Sequence, residues 1–283
     1  MHPRTRLTLD LLKGFPRASH KPAKLMAYGA YLISRRMKSK TLERWRGRHP
    51  LHAYILLTTR CNMSCEDCYF VDVINDKKVG RLDFDLEQVE KNYENPLFHA
   101  VSRVVLYGGE PTLIKPFVDI IRFFRSRGVV TTMTSNVLRL NRKMLDDIRE
   151  ADLSLLNLSI YRETLRGQVF NLDQIEEVLR EANAGAFDPK RIVLSFHGTD
   201  AASYQWAYEF AVKAGAKGLL FNRTFYTADN PAIGPHAEKD GFGREFEEIC
   251  RQIQREKKIE LYFATSQGEP NTCPFTGNAF TVG

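Results

Sequence analysis

At 283 residues and 32.5 kDa the chain can bury one large core with small appendages, and 43% hydrophobic with 27% charged residues is ordinary for a soluble protein, with no low-complexity segment. Five cysteines, an odd number with three clustered, and a start without a charged, apolar and small-residue succession argue against a secreted disulfide framework and fit a reducing cytoplasm. The net charge of +7 is uneven: residues 1–50 hold 13 Lys and Arg against Asp10 and Glu43, leaving the remainder slightly acidic.

That basic stretch is the first predicted element, a helical arm with Tyr28, Tyr31 and Trp45. Its longest apolar run, residues 25–33, is nine residues, too short for a bilayer that needs about 20. The arm either packs as a solvated helix against the domain or contacts an anionic membrane surface or an acidic partner, so a cytoplasmic protein with surface membrane association is one expectation. Nucleic acid is not an expected partner, because no aromatic and basic residues interleave as in a binding module.

From residue 53 short β-branched or apolar runs alternate with longer amphipathic ones, the pattern of βα units around a parallel sheet. Strands are predicted at 53–59, 103–107, 129–134, 155–160, 192–196 and 218–222, and helices at 86–95, 116–127, 142–150, 173–183 and 202–214. Gly128, Gly185 and Gly215 stand just past three of the helices, where a left-handed residue is favoured. Residues 227–243 read as a loop; beyond them Phe246, Ile249, Cys250 and Ile253 share a helix face, which makes Cys250 a core residue, and 258–263 form a further strand candidate. The organisation expected is an arm at 1–50, a core at 51–226, and a loop with a C-terminal extension at 227–283.

Ligands in parallel α/β sheets and barrels bind outside the carboxyl ends of the strands. The unusual residues gather there. Cys61, Cys65 and Cys68 follow the first strand; Gly108, Gly109, Glu110 and Pro111 follow the second; Ser135 and Asn136 follow the third. Ser159 lies in the end of the fourth, His197 follows the fifth, and Asn222 and Arg223 close the sixth. Thiolates are soft ligands for zinc, copper(I) or iron–sulfur clusters. Structural zinc is normally closed by a fourth Cys or His, and no second CxxC pair occurs here. A four-iron cube on three cysteines keeps one iron open for a substrate or cofactor. A zinc site completed by a distant residue is the alternative; dry core cysteines fit poorly with Asn62, Ser64, Glu66 and Asp67 between them.

The spacing Cys61-x-x-x-Cys65-x-x-Cys68 after the first strand, joined to "YGGEP" after the second, resembles the radical S-adenosylmethionine superfamily over about residues 53–223. The resemblance implies a partial (β/α)6 TIM-like barrel in which Cys61, Cys65 and Cys68 hold a [4Fe–4S] cluster and the methionine part of S-adenosylmethionine chelates its fourth iron. By the same resemblance Gly108, Gly109 and Glu110 receive the methionine amino group, and Ser135 and Asn136 face the ribose. "LSIYRETLRGQVF" is similar to the fourth-strand segment of peptide-modifying members, which puts Ser159 on the ribose and Arg166 on the carboxylate. Asp67, where the family commonly has an aromatic residue, and Tyr161, where an acidic one is frequent, depart from the pattern. "NTCPFTGNAFTVG", with Cys273, resembles the opening of a SPASM or twitch-like cysteine-rich extension, so Cys273 is either an isolated thiol or part of a truncated auxiliary-cluster region.

The implied chemistry is reductive cleavage of S-adenosylmethionine to a 5′-deoxyadenosyl radical that abstracts hydrogen from a substrate, with an electron donor such as flavodoxin or ferredoxin as partner. A ribosomal peptide is the first expected substrate, a lipid or membrane-bound molecule the second and a small metabolite the third. His197 is the weak candidate for a catalytic acid or base, against a structural role. The rival from another class is a non-catalytic iron–sulfur electron carrier or redox sensor.

Overall fold

The computed structural model describes residues 52–63, 65, 68, 81–96, 98, 101–160, 171–198, 200–223, 242–263 and 279–282. The basic arm, Arg166, Tyr161, the 227–241 stretch and Cys273 lie outside these residues.

Among the described residues eight parallel strands form one sheet. They are β1 (His52–Leu56), β2 (Arg103–Tyr107), β3 (Val130–Ser135), β4 (Leu155–Ile160), β5 (Ile192–Gly198), β6 (Gly218–Arg223), β7 (Glu260–Phe263) and β8 (Ala279–Val282). Strands β1 to β6 lie side by side in chain order, with β7 beside β6 and β8 beside β1. Sequential parallel neighbours need crossover helices. These are α1 (Leu86–Tyr93), α2 (Phe117–Ser126), α3 (Arg142–Glu150), α4 (Leu172–Asn183) and α5 (Ala201–Lys213), with α6 (Phe242–Glu256) leading into β7. The parallel α/β sheet is what the βα alternation predicts and the partial barrel what the resemblance implies, widened at both edges by residues assigned above to the C-terminal extension.

Local chemistry sets the helix boundaries. Asp85 caps α1 in a reciprocal box with Gln88, Asn141 accepts from the Met144 amide at the start of α3, and Asp200 accepts from the Ser203 amide at the start of α5. Gly128, Gly185 and Gly215 take φ of 71°, 94° and 74° after α2, α4 and α5, the left-handed turn that the sequence pattern expects there.

Register decides which side chains share a face, because side chains alternate along a strand and paired residues point the same way. Ala53, Ile55, Val104, Leu106, Met133, Leu156, Leu158, Leu194, Phe196, Leu219 and Phe221 lie on the helix-packed face and are buried in one core. Tyr204 of α5 anchors part of that core, with its ring centroid 4.7 Å from Phe221 and 4.8 Å from Phe246. Cys250 and Ile253 on α6 join the core, as their shared helix face predicts.

The opposite face has another composition. Tyr54 and Tyr107, Thr132, Thr134 with Asn157, and Ser159 with Ser195 occupy it through β1 to β5. Several are only half-buried, including Tyr54, Tyr107, Thr134 and Ser159. The sheet therefore carries one largely apolar, helix-covered side and one mixed side, where these hydroxyl and amide groups stand among Leu56, Val105, Leu155, Val193 and Leu220. Among the described residues no helix is long and apolar enough to cross a membrane.

Candidate functional site

The first-strand backbone runs past β1 toward the cysteines, and β2 follows it. Leu57 N–H donates to the Tyr107 carbonyl at 2.7 Å, Gly109 N–H to the Thr58 carbonyl at 2.8 Å, and Glu110 N–H to the Arg60 carbonyl at 2.7 Å. These bonds carry the pairing up to the residue before Cys61. At Gly109 the two backbones are so close that a Cβ would overlap the Arg60 carbonyl and lie 2.9 Å from the Cys61 amide nitrogen. Gly108, at φ +150°, also has the Thr58 backbone where a side chain would begin. The glycine pair thus seats the start of the cysteine loop against the end of β2.

The return of that loop is fastened to the same place. Thr59 N–H donates to the Leu82 carbonyl at 2.9 Å, Phe84 N–H to the Leu57 carbonyl at 2.8 Å, and Leu82 N–H to the Thr59 hydroxyl at 2.9 Å. Asp83 then takes the Thr58 hydroxyl at 2.5 Å and the Arg60 Nε at 2.9 Å on Oδ1, and Arg60 Nη2 at 2.7 Å on Oδ2. Arg60 Nη2 also donates to the Leu113 carbonyl at 3.2 Å. The sequence reading missed this clasp, because a pair 23 residues apart across an irregular loop leaves no periodic signal.

Glu110 lies at the centre of the site and is only 1% exposed. Its Oε1 accepts from the Thr112 hydroxyl at 2.7 Å, the Ser135 hydroxyl at 2.9 Å and the Thr112 amide at 3.2 Å, and its Oε2 accepts from the Asn136 amide at 2.7 Å. Burial pushes its carboxyl pKa up, and the Asn136, Thr112 and Ser135 donors pull the other way. The carboxylate ties the end of β2 to the end of β3, and the capacity left for a ligand is on Oε2.

Ser135, the last residue of β3 rather than the first after it, donates to Glu110 and accepts the Val137 amide at 3.1 Å. The Asn136 side chain reaches the cysteine loop: Nδ2 lies 2.8 Å from Asn62 Oδ1 and 3.7 Å from Cys61 Sγ. Asn171, another residue the sequence reading missed, donates from Nδ2 to the carbonyls of Asn136 at 3.0 Å and Ser159 at 2.7 Å, bridging the ends of β3 and β4. Its Oδ1 is buried without a hydrogen-bond partner. Ser159 is half-buried on the mixed face in register with Ser195. His197, expected after the fifth strand, lies within β5 and is exposed, opposite Asn222 of β6.

Cys61, Cys65 and Cys68 are half-buried and in no disulfide. Cys68 N–H donates to the Cys65 carbonyl at 3.3 Å, and Met63 N–H approaches Cys61 Sγ at 3.4 Å. Burial raises the Cys61 pKa, Glu110 and Cys68 add to the rise, and the Met63 and Asn136 donors oppose it. Among the described residues no three Cys, His, Asp or Glu side chains close around one point as a single metal ion demands. A cluster makes a different demand, because each thiolate meets its own iron. Three thiolates on one backbone-clamped loop, beside a glycine cradle and donors aimed at sulfur, fit an iron–sulfur cluster with an open corner.

Comparison with known proteins bears on the family and the fold. The model of the radical SAM superfamily matches residues 55–161, from β1 through the end of β4. A probable GTP 3′,8-cyclase of Pyrococcus abyssi is 28% identical over 142 residues, 47% of this chain and 43% of that protein. The aligned stretch therefore spans less than half of that relative. Streptococcus suis SuiB, in its crystal structure bound to precursor peptide SuiA, superposes with a TM-score of 0.58 at 16% identity, covering 78% of this chain and 50% of that one. Methylornithine synthase superposes with a TM-score of 0.52 at 16% identity and covers 82% of each chain. At such identities the superpositions bear on the fold.

Proposed function

This chain belongs to the radical SAM superfamily, and from that premise we propose an enzyme that holds a [4Fe–4S] cluster on Cys61, Cys65 and Cys68 and acts on a hydrogen-bonding substrate. When bound, the cluster and S-adenosylmethionine supply one-electron reductive cleavage and, from it, removal of hydrogen from a substrate C–H. The chain's own residues position the reactants. Gly109 and the Arg60–Asp83 clasp fix where the cysteine loop starts and returns. Glu110 joins the ends of β2 and β3 and offers Oε2 to a cationic amine, while Ser159 faces the rim from β4. Arg166 is assigned to the cofactor carboxylate by its place in the sequence motif. Holding several contacts rigid is what aiming one reactive carbon at one hydrogen requires.

The observation that carries this reading is the close approach of Gly109 to Arg60, which makes the glycine motif and the cysteine loop one unit. Metal analysis and the absorption spectrum after anaerobic reconstitution test it: about four irons per chain with a broad visible band are expected, and stoichiometric zinc would overturn it.

For the substrate, the mixed sheet face, with hydroxyl and amide groups set among Val105, Leu155, Val193 and Leu220, suits a ribosomal peptide, whose backbone hydrogen-bonds while part of its side chains is apolar. A peptide presents a donor and an acceptor at nearly every residue, which suits a surface bearing Thr134, Asn157, Ser159 and Ser195. A flavodoxin or ferredoxin type of protein is the proposed electron donor.

A further inference from the structure

Asn136 stands at a junction. Its backbone amide is tied to Glu110 Oε2 at 2.7 Å, its carbonyl to Asn171 at 3.0 Å, and its side-chain Oδ1 to the Leu138 amide at 3.2 Å. With Oδ1 committed to an N–H donor and Nδ2 set 2.8 Å from Asn62 Oδ1, only one orientation of the amide is compatible with its neighbours. That orientation aims the amide N–H at Cys61 Sγ, 3.7 Å away. At 7% exposure, water is a poor substitute for this donor.

We propose that Asn136 is a tuning residue for the cluster, acting through a side-chain N–H···S bond to Cys61 that raises the reduction potential and so eases electron entry. The inference rests on the cluster assignment above and goes beyond it. An electron entering the cluster increases the negative charge on its sulfurs, so a donor pointed at one of them stabilises the reduced state more than the oxidised state. Hydrogen bonds to cluster sulfurs are among the groups that set iron–sulfur potentials. The Met63 amide gives Cys61 a backbone donor that side-chain substitution leaves in place, whereas the Asn136 donor can be removed alone. The resemblance assigns Asn136 to the ribose; the geometry adds a contact of its side-chain amide with the sulfur of Cys61.

The test is a redox titration of the anaerobically reconstituted full chain, followed by electron paramagnetic resonance, with Asn136→Leu and Asn136→Asp beside the wild type. Leu removes the donor. Asp keeps the shape and the Leu138 contact, and Asn62 can turn its own amide to meet it, so one of the two is expected to fold even where the other does not. The expected result is a midpoint potential shifted negative in Leu and further negative in Asp, at wild-type iron content and urea midpoint. Loss of iron from both variants at an unchanged urea midpoint overturns the proposal, since Asn136 then holds the cysteine loop through Asn62 and does not set the potential. Potentials equal to wild type in iron-loaded variants also overturn it while leaving the cluster assignment intact. A wild type that takes up no iron defeats the cluster assignment and this inference with it.

Discussion

Gly109 lies against Arg60 so closely that the nearest atoms to a Cβ there all belong to the backbone of Arg60 and Cys61. A backbone obstacle cannot swing aside as a flexible side chain would. Gly109→Ala must therefore push the cysteine loop away from β2, breaking the Glu110 N–H to Arg60 carbonyl bond. We expect a stability loss of at least about 2 kcal/mol in urea unfolding. Most of the iron should also be lost after reconstitution, read as iron per chain.

The clasp behind the loop behaves differently. Arg60 and Asp83 side chains are 37% and 41% exposed, so their ion pair is screened and adds below about 1 kcal/mol to global stability. Asp83→Ala is expected to lower the urea midpoint modestly, with a stability loss of about 1 kcal/mol, because the buried Thr58 hydroxyl loses its acceptor, and to release the turn locally, since the Thr58, Arg60 and Leu82 contacts meet there. Hydrogen exchange at the amides of Thr59, Leu82 and Phe84 reads this directly; acceleration at those three is the predicted outcome, and unchanged protection contradicts it.

Asn171 bridges two strand ends from a fully buried position. Asn171→Ala leaves the Asn136 and Ser159 carbonyls short of a donor and opens a small cavity, at a cost of about 2 kcal/mol. Removing the partnerless Oδ1 offsets part of this. A lowered urea midpoint with an unchanged denaturant slope checks it.

At the other end of the sheet, Asp152 meets Arg125 at 2.5 Å and Arg191 at 3.0 Å. Partial burial alone would raise its carboxyl pKa, but the two guanidinium groups outweigh burial and hold it below the ordinary 3.8. A depressed folded-state pKa means stability fully present above the unfolded value and lost as pH falls through the folded one. Asp152→Asn should therefore reduce stability at pH 7 and lose that deficit relative to wild type as the pH drops below about 4, measured by urea unfolding across pH.

The helix-facing strands were legible because core burial leaves an apolar record in Val104, Leu106, Leu158 and Leu194, and the chain order of six strands follows from parallel βα units. Ends were less legible: Ser135 and His197 fall inside strands whose pairing runs further than their apolar runs. β8 was missed, since four residues placed by pairing with β1 carry little period of their own. At the site, the cysteines and the glycine pair stand out by type and spacing. Asp83 and Asn171 do not, because their importance comes from where folding brings them, onto Arg60 and between two strand ends.

In the proposed site three thiolates on a clamped loop leave one iron corner open for S-adenosylmethionine. The most direct test is mass spectrometry for 5′-deoxyadenosine after anaerobic reconstitution, with dithionite and S-adenosylmethionine, beside Cys65→Ala. The account predicts 5′-deoxyadenosine from the wild type and none above background from the variant; a wild type that holds a full cluster yet never cleaves S-adenosylmethionine would contradict it.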